Sequence, residues 1–279
     1  MTPSARETIA RALAEDLGPG DITSECFIPA DHHSTARIVA KESSILAGTE
    51  VAREVFRQVD ATIEVTLLKN DSDAISPGDL ILTATGPTRA LLSAERTALN
   101  FLQRLSGIAT LTSRFVDAVS GTKAVILDTR KTTPGLREFE RTAVRAGGGV
   151  NHRFGLHDRV LAKDNHLAIT GDAAGLQRAI DEAKQRVPDI LVEIEADTLD
   201  QVRLLCALRG VDIILLDNMS NDQLREAVQI RGDKAVVLEA SGGVNLNTVA
   251  AIAATGIDQI SVGALTHSAR AVDLSMEIS

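Results

Sequence analysis

The rhythm of apolar and polar positions changes twice along the chain. Ile9, Leu13 and Leu17 recur at helical intervals, Ser4 and Glu7 have capping-box spacing, and Gly18-Pro19 stops the run. This spacing predicts a short amphipathic helix. From about 34 to 86 the texture becomes alternating, as in Ala36-Arg37-Ile38-Val39 and Thr62-Ile63-Glu64-Val65, with a turn at Ser76-Pro77-Gly78-Asp79. Such a pattern predicts an α+β domain built on an antiparallel sheet. A helix is predicted over about 91–105, with Ala94, Ala98, Phe101 and Leu105 as its apolar stripe and Arg96 and Asn100 on another face.

After roughly residue 120 the rhythm becomes strand, helix, strand, helix. Apolar runs stand at 124–127, 160–161, 190–192, 211–216, 235–238 and 259–262, and Thr198 with Gln201 and Ser220 with Gln223 mark helix starts between them. Alternation of short β and α elements implies a parallel sheet with crossover helices, either doubly wound or closed into a barrel. No Gly-x-Gly-x-x-Gly turn or Walker A loop marks a dinucleotide or ATP fold.

What ends these runs carries the chemistry. Asp128-Thr129-Arg130-Lys131 follows the first and Lys163-Asp164-Asn165-His166 the second. Glu193 and Glu195 go with the third, Asp217-Asn218 with the fourth, Glu239 and Ser241-Gly242-Gly243 with the fifth, and Gly263-Ala264 with the last. In α/β barrels the loops after the strands converge on one face, which holds the active site. One charged residue after a strand is ordinary; six consecutive polar strand ends describe a site.

Charge sharpens the picture. The chain has a net charge of −9, yet between Asp128 and His166 eight Lys or Arg face five Asp or Glu, against 21 and 33 elsewhere. A cationic island in an acidic protein is a receptor for small anions. The small residues at Ser241-Gly242-Gly243 and Gly263-Ala264 allow backbone N–H groups to approach a phosphate, although tight turns use Gly-Gly as well. Glu195 and Asp217 are hard oxygen ligands suited to Mg²⁺ beside substrate oxygens, or else partners of a local Lys or Arg. The spacing of His152, His157 and His166 fits no zinc pattern, so hydrogen bonding is the expected role.

Composition closes off other classes. Aromatic residues are 2% of the chain, six Phe with no Trp or Tyr, and with the negative charge this argues against nucleic-acid or anionic-membrane binding. No apolar run approaches the ~20 residues of a membrane span. The first residues show no signal-peptide core, so a cytoplasmic protein is expected. Cys26 and Cys206 are expected to be inert core thiols.

The run from Asp128 through Thr132-Thr133-Pro134-Gly135-Leu136 to Arg137 continues into Gly147-Gly148-Gly149-Val150-Asn151-His152-Arg153 and Lys163-Asp164-Asn165-His166. It closely resembles the quinolinate phosphoribosyltransferase family. Further matches at Glu15-Asp16-Leu17-Gly18-Pro19-Gly20-Asp21, at Glu95-Arg96-Thr97-Ala98-Leu99-Asn100 and at Ser106-Gly107-Ile108-Ala109-Thr110 extend the resemblance over nearly the whole chain.

The resemblance implies an N-terminal α/β sandwich over 1–110 with the long helix, and an incomplete α/β (TIM-like) barrel over 111–279. The extreme C-terminus is free to return to the first domain. It implies transfer of the phosphoribosyl group of phosphoribosyl pyrophosphate to quinolinate with decarboxylation, with Mg²⁺ as cofactor. Arg130, Lys131, His152, Arg153 and Lys163 are expected around the quinolinate carboxylates, and Arg96 is expected from the partner subunit of a homodimer or larger assembly. Lys131, Lys163, Glu195 and Asp217 are the expected catalytic residues, with Glu195 and Asp217 on Mg²⁺ directly or indirectly. Ser241, Gly242, Gly243, Gly263 and His267 are expected at the 5′-phosphate. A nicotinate-type transferase, a molybdenum-associated paralogue, an inactive anion sensor and a Schiff-base role for Lys163 are the rival readings.

Overall fold

The computed structural model describes residues 1–279. The chain forms two compact units: Met1–Ser113 with Thr132–Gly148 and Leu265–Ser279, and Arg114–Lys131 with Gly149–Ala264. In chain order the elements are α1 (Pro3–Leu17), α2 (Ile22–Phe27), β1 (His33–Ala40), β2 (Ser44–Ile45), α3 (Thr49–Val59), β3 (Glu64–Leu67), β4 (Ala74–Ile75), β5 (Leu80–Pro87) and α4 (Thr88–Ala118). They continue with β6 (Val125–Leu127), α5 (Arg137–Ala146), β7 (Val160–Ala162), α6 (Asp164–Thr170), α7 (Ala173–Arg186), β8 (Val192–Ala196), α8 (Leu199–Leu205) and β9 (Ile213–Asp217). The last are α9 (Asn221–Arg231), β10 (Val237–Ser241), α10 (Val249–Ala253), β11 (Gln259–Ser261), α11 (Ala264–His267) and β12 (Leu274–Ile278).

The first unit carries the antiparallel sheet, in the order β12-β1-β5-β3. In β1 the residues Ser34, Ala36, Ile38 and Ala40 are buried and those between them are not, which is the period of a strand with one covered face. Helix α1 starts two residues earlier than its sequence suggests. Thr2 Oγ1 accepts from the Ala5 N–H and Pro3 takes the first helical position, so Ser4 lies inside the helix. Helix α3 interrupts the stretch that reads as strands, because Val51, Ala52, Val55 and Phe56 are buried at helical spacing. Helix α4 is about twice as long as predicted. Ser106, Gly107 and Ala109 thin the apolar stripe in sequence, yet they are buried, with Ser106 Oγ accepting from the Ala47 N–H at 3.0 Å.

Segment 132–148 belongs to this unit because α5 buries Phe139, Glu140, Ala143 and Val144. The Phe139 and Phe101 rings lie 5.3 Å apart, and the fully buried Glu140 carboxylate accepts from Arg104 at 3.0 Å and from Thr133 Oγ1 at 2.7 Å. Each fully buried Leu, Ile or Phe of such a core contributes about 1.5–3 kcal/mol.

The second unit holds six parallel strands in the order β6-β11-β10-β9-β8-β7. Neighbours in sequence are neighbours in space, and the first strand pairs with the last. That is the cyclic order of a barrel, opened between β6 and β7. At the opening Val150 makes one parallel bridge to Leu127. The capping boxes predicted at Thr198 and Ser220 both form. Two strands run further than their apolar runs. Glu193 and Glu195 lie inside β8 and Glu239 inside β10, all three buried. Basic side chains meet two of them, His152 and Arg159 at Glu193 and Lys163 at Glu195.

No helix is long and apolar enough to cross a membrane. The cysteines depart from expectation. Cys26 is exposed on α2, whose one buried residue is Ser24, and Cys206 is half-buried, where desolvation pushes its thiol pKa up.

Candidate active site

In the second unit the C-terminal ends of the parallel strands surround a cavity of about 530 Å³. Thr129, Arg130 and Lys131 line it after β6, His152 and Arg153 beyond the barrel opening, and Lys163 after β7. Asp217 and Asn218 line it after β9, and Ser241, Gly242 and Gly243 after β10, over a floor that includes Leu161, Leu215, Glu239 and Ser261. Five parallel strands that end at one level, and the loop that carries His152 and Arg153, deliver these groups from six separate points in sequence.

The Asn151-His152-Arg153 segment has no strand of its own and is held by Asp128. That residue is fully buried, and its carboxylate accepts from the His152 N–H and from Asn151 Nδ2, each at 2.7 Å. Its own N–H donates to the Val150 carbonyl. Asp128 therefore works behind the cavity, and Thr129 shapes the next turn by accepting from the Lys131 N–H at 3.1 Å.

His152 is buried, with Nε2 at 3.2 Å from one Glu193 oxygen and 3.5 Å from Glu239 Oε1. Burial alone would lower its pKa, but the two carboxylates outweigh burial and push it up to about 9. The Arg153 N–H donates to Nδ1 at 2.8 Å, a bond that favours the singly protonated ring. Two buried carboxylates outweigh one amide dipole, so the upward direction stands. Arg159 also binds Glu193, at 3.2 Å, and the cations hold that carboxyl below its usual range although desolvation opposes them. His152, Glu193 and Glu239 are thus the close cluster, whereas His157 and His166 take local roles. His166 Nδ1 accepts from the Lys163 N–H at the start of α6.

Lys163 and Glu195 form an ion pair at 2.6 Å, and the Asp164 N–H points at the same carboxylate at 3.4 Å. Glu195 lines an adjoining cavity with Asp164 and Asp197. Asp197 is held above the ordinary carboxylate range, first by burial and then by the negative charges of Glu195, Asp217 and Asp164. That concentration of oxygen ligands and negative field suits a divalent cation.

The Ser241-Gly242-Gly243 loop needs its glycines. Gly242 has φ 93°, and a Cβ there would overlap the Asn218 side chain and approach its backbone N. Gly243 has φ 61° with open space around the missing Cβ. Asn218 itself has φ 53°, and its N–H donates to the Ser241 carbonyl at 2.9 Å, tying the two strand ends together.

Gly263 follows β11 two residues after Ser261. Arg96 and His267 belong to the first unit. Arg96 is exposed on α4 and pairs with Glu95, and His267 closes α11 with Nδ1 2.7 Å from Ser268 Oγ. Asp128 and Glu239 stand among the polar strand ends in the sequence, but nothing there separates their roles from those of their neighbours, and no local pattern marks Arg159.

Two family descriptions match the chain: quinolinate phosphoribosyl transferase, N-terminal domain, over residues 21–106, and C-terminal domain, over 108–277. The nicotinate-nucleotide pyrophosphorylase [carboxylating] of Mycobacterium leprae is 45% identical over 99% of this chain and 97% of its own length. Quinolinate phosphoribosyltransferase [decarboxylating] 2b, mitochondrial, of Nicotiana tabacum is 41% identical over 99% of this chain and 83% of its own. The crystal structure of NadC from Streptococcus pyogenes superposes with a TM-score of 0.93 at 39% identity, covering 100% of this chain and 98% of that one. With both halves matched and the identities this high, the chain belongs to the quinolinate phosphoribosyl transferase family.

Proposed function

We propose that this protein transfers the phosphoribosyl group of phosphoribosyl pyrophosphate to quinolinate and releases CO₂, giving nicotinate mononucleotide and pyrophosphate. The observation that carries the reading is one cavity lined by Arg130, Lys131, His152, Arg153 and Lys163 together with Asp217 and a glycine loop. Five basic side chains exceed what a monocarboxylate such as nicotinate requires and match a dicarboxylate. Arginine forks bind carboxylates in a fixed plane, while lysine acts as a compact charge.

In this reading the basic side chains hold both quinolinate carboxylates and aim the ring nitrogen at the ribose C1′. Orientation of that kind removes most of the entropic cost of the encounter. Ser241, Gly242 and Gly243, with Gly263 and His267, take the 5′-phosphate through backbone N–H groups. Glu195 and Asp217 face the ribose as positive charge grows on it, and they hold Mg²⁺, which neutralises pyrophosphate oxygens when bound. Lys131 and Lys163 complete the catalytic set, and Lys163 already fixes Glu195. Once the nitrogen is alkylated, the cationic ring accepts the electron pair left when the adjacent carboxylate departs.

Arg96, exposed on α4, suits a role in the site of a second copy, in a homodimer or larger assembly. We place the reaction in the cytoplasm. The test is turnover with quinolinate, phosphoribosyl pyrophosphate and Mg²⁺ beside a reaction with nicotinate. Equal amounts of nicotinate mononucleotide and CO₂ from quinolinate alone are expected; turnover of nicotinate alone, or of neither, overturns the reading.

A further inference from the structure

Glu239 is fully buried on β10, two residues before the glycine loop, and lines the floor of the cavity. Neither of its carboxylate oxygens has a hydrogen-bond donor. Its register neighbours across the sheet are Leu215 and Gln259. The one basic group within reach, His152 Nε2 at 3.5 Å, is closer to Glu193, which also receives Arg159. Of the two buried carboxylates under the cavity, Glu193 is therefore well served and Glu239 is not. An underserved buried carboxylate costs stability, and it sits in a cavity whose five basic side chains collect anions. For binding the substrate dianion it is the wrong charge.

It is the right charge for one moment of the reaction. The ring nitrogen of quinolinate gives its lone pair to the ribose C1′, the C1′–oxygen bond breaks, and pyrophosphate leaves with that electron pair. A neutral nitrogen thereby becomes a cation inside the cavity. Taking the quinolinate reading above as the base, we propose that Glu239 is a catalytic residue whose carboxylate stabilises the positive charge that develops on the pyridine ring. Fixed charges aimed at a developing charge act on the transition state and not on the ground state. A close donor on Glu239 would blunt that effect, and the nearest cation, His152, lies at 3.5 Å and is closer to Glu193.

The experiment is Glu239→Gln in the full-length protein, which keeps the shape and removes the charge. Quinolinate affinity is read by calorimetry and kcat by steady-state turnover. The expected result is a split in opposite directions. Quinolinate binds as tightly or up to about tenfold more tightly, because an anion has left the floor, while kcat falls about 100-fold. Thermal stability near neutral pH should change little, because relief of a buried anion offsets the weaker hold on the His152 ring. Weaker binding with a matching loss of kcat/KM points to a packing role and overturns the proposal, as does wild-type turnover. Should the Gln variant fail to fold, Glu239→Leu, apolar like the neighbouring Leu215, carries the same comparison. Inactive wild-type protein would instead count against the quinolinate reading, since the Glu239 arm requires an active parent.

Discussion

Asp128 and His152, 24 residues apart, are joined by a 2.7 Å hydrogen bond from the His152 N–H to the buried Asp128 carboxylate. The same carboxylate holds Asn151 Nδ2, so one group after β6 sets the path of the segment that presents His152 and Arg153. Hydrogen bonds to a charged group contribute about 1.5–3 kcal/mol each, and a buried donor left facing another donor costs more. Asp128→Asn puts an amide against two donors. It is expected to lower unfolding stability by about 2–4 kcal/mol and to raise KM for quinolinate more than KM for phosphoribosyl pyrophosphate. Urea denaturation and the two Michaelis constants check this; unchanged constants would show that the segment holds itself.

The glycine loop separates two kinds of glycine. Gly243→Ala introduces a side chain into open space at φ 61° and should cost about 1–2 kcal/mol from backbone strain alone. Gly242→Ala adds the same strain and drives Cβ into Asn218, which must move together with the end of β9. It should raise KM for phosphoribosyl pyrophosphate at least tenfold more than Gly243→Ala does, an order-of-magnitude expectation for a displaced phosphate cradle. Equal effects from the two variants would show that the contact with Asn218 does not shape the loop.

Much of this architecture was legible in the chain because strand ends in a parallel barrel are written as polar punctuation after apolar runs. Arg130, Lys131, Lys163, Asp217 and the Ser241 loop could be found that way, and the structure gathers them around one cavity. Glu193 and Glu239 sit inside strands, where a charge is tolerated only because partners from elsewhere in the chain meet it or because the reaction uses it. The sequence shows the two residues beside their apolar runs, but not which distant partners meet them. Helix α3 was hidden for a different reason. Its apolar residues Val51, Ala52, Val55 and Phe56 are too few to stand out from the alternating runs on either side. The placement of α5 depends on the Phe139–Phe101 and Glu140–Arg104 contacts, which join positions 36 to 38 residues apart.

The acidic field beside the cavity makes a metal prediction. Asp197 is raised by burial and by Glu195, Asp217 and Asp164. Asp217→Asn removes one of those charges and one oxygen ligand. It should raise the Mg²⁺ concentration for half-maximal activity about tenfold or more, and EDTA should abolish turnover of the unaltered protein. Full activity in EDTA would sink the role of Glu195 and Asp217 as Mg²⁺ ligands.

His152 gives a pH dependence of defined sign. Its folded pKa is about 9 against an ordinary 6.5, so the charged ring is stabilised in the folded state. That contribution is complete below about pH 6.5 and is lost as pH rises through 9. Each tenfold gain in proton affinity on folding is worth about 1.4 kcal/mol. The Arg153 N–H on Nδ1 takes back part of it, leaving roughly 2–3 kcal/mol. Unfolding free energy measured from pH 6 to 9.5 should fall, and the fall should be largely absent in His152→Gln. An equal slope in both proteins would assign it elsewhere.

Arg96 tests whether the active site is shared between copies. Its side chain is largely exposed on α4 and pairs with its neighbour Glu95, so Arg96→Ala should leave stability within about 0.5 kcal/mol while abolishing turnover. Arg153→Ala should also be inactive, through loss of a cavity-lining cation. If each site takes Arg153 from one copy and Arg96 from the other, a mixed dimer of the two variants contains one intact site and one doubly damaged site. Random exchange of subunits then restores about a quarter of wild-type activity. If both residues serve the site of their own chain, every site in the mixture lacks one of them, and mixing restores nothing.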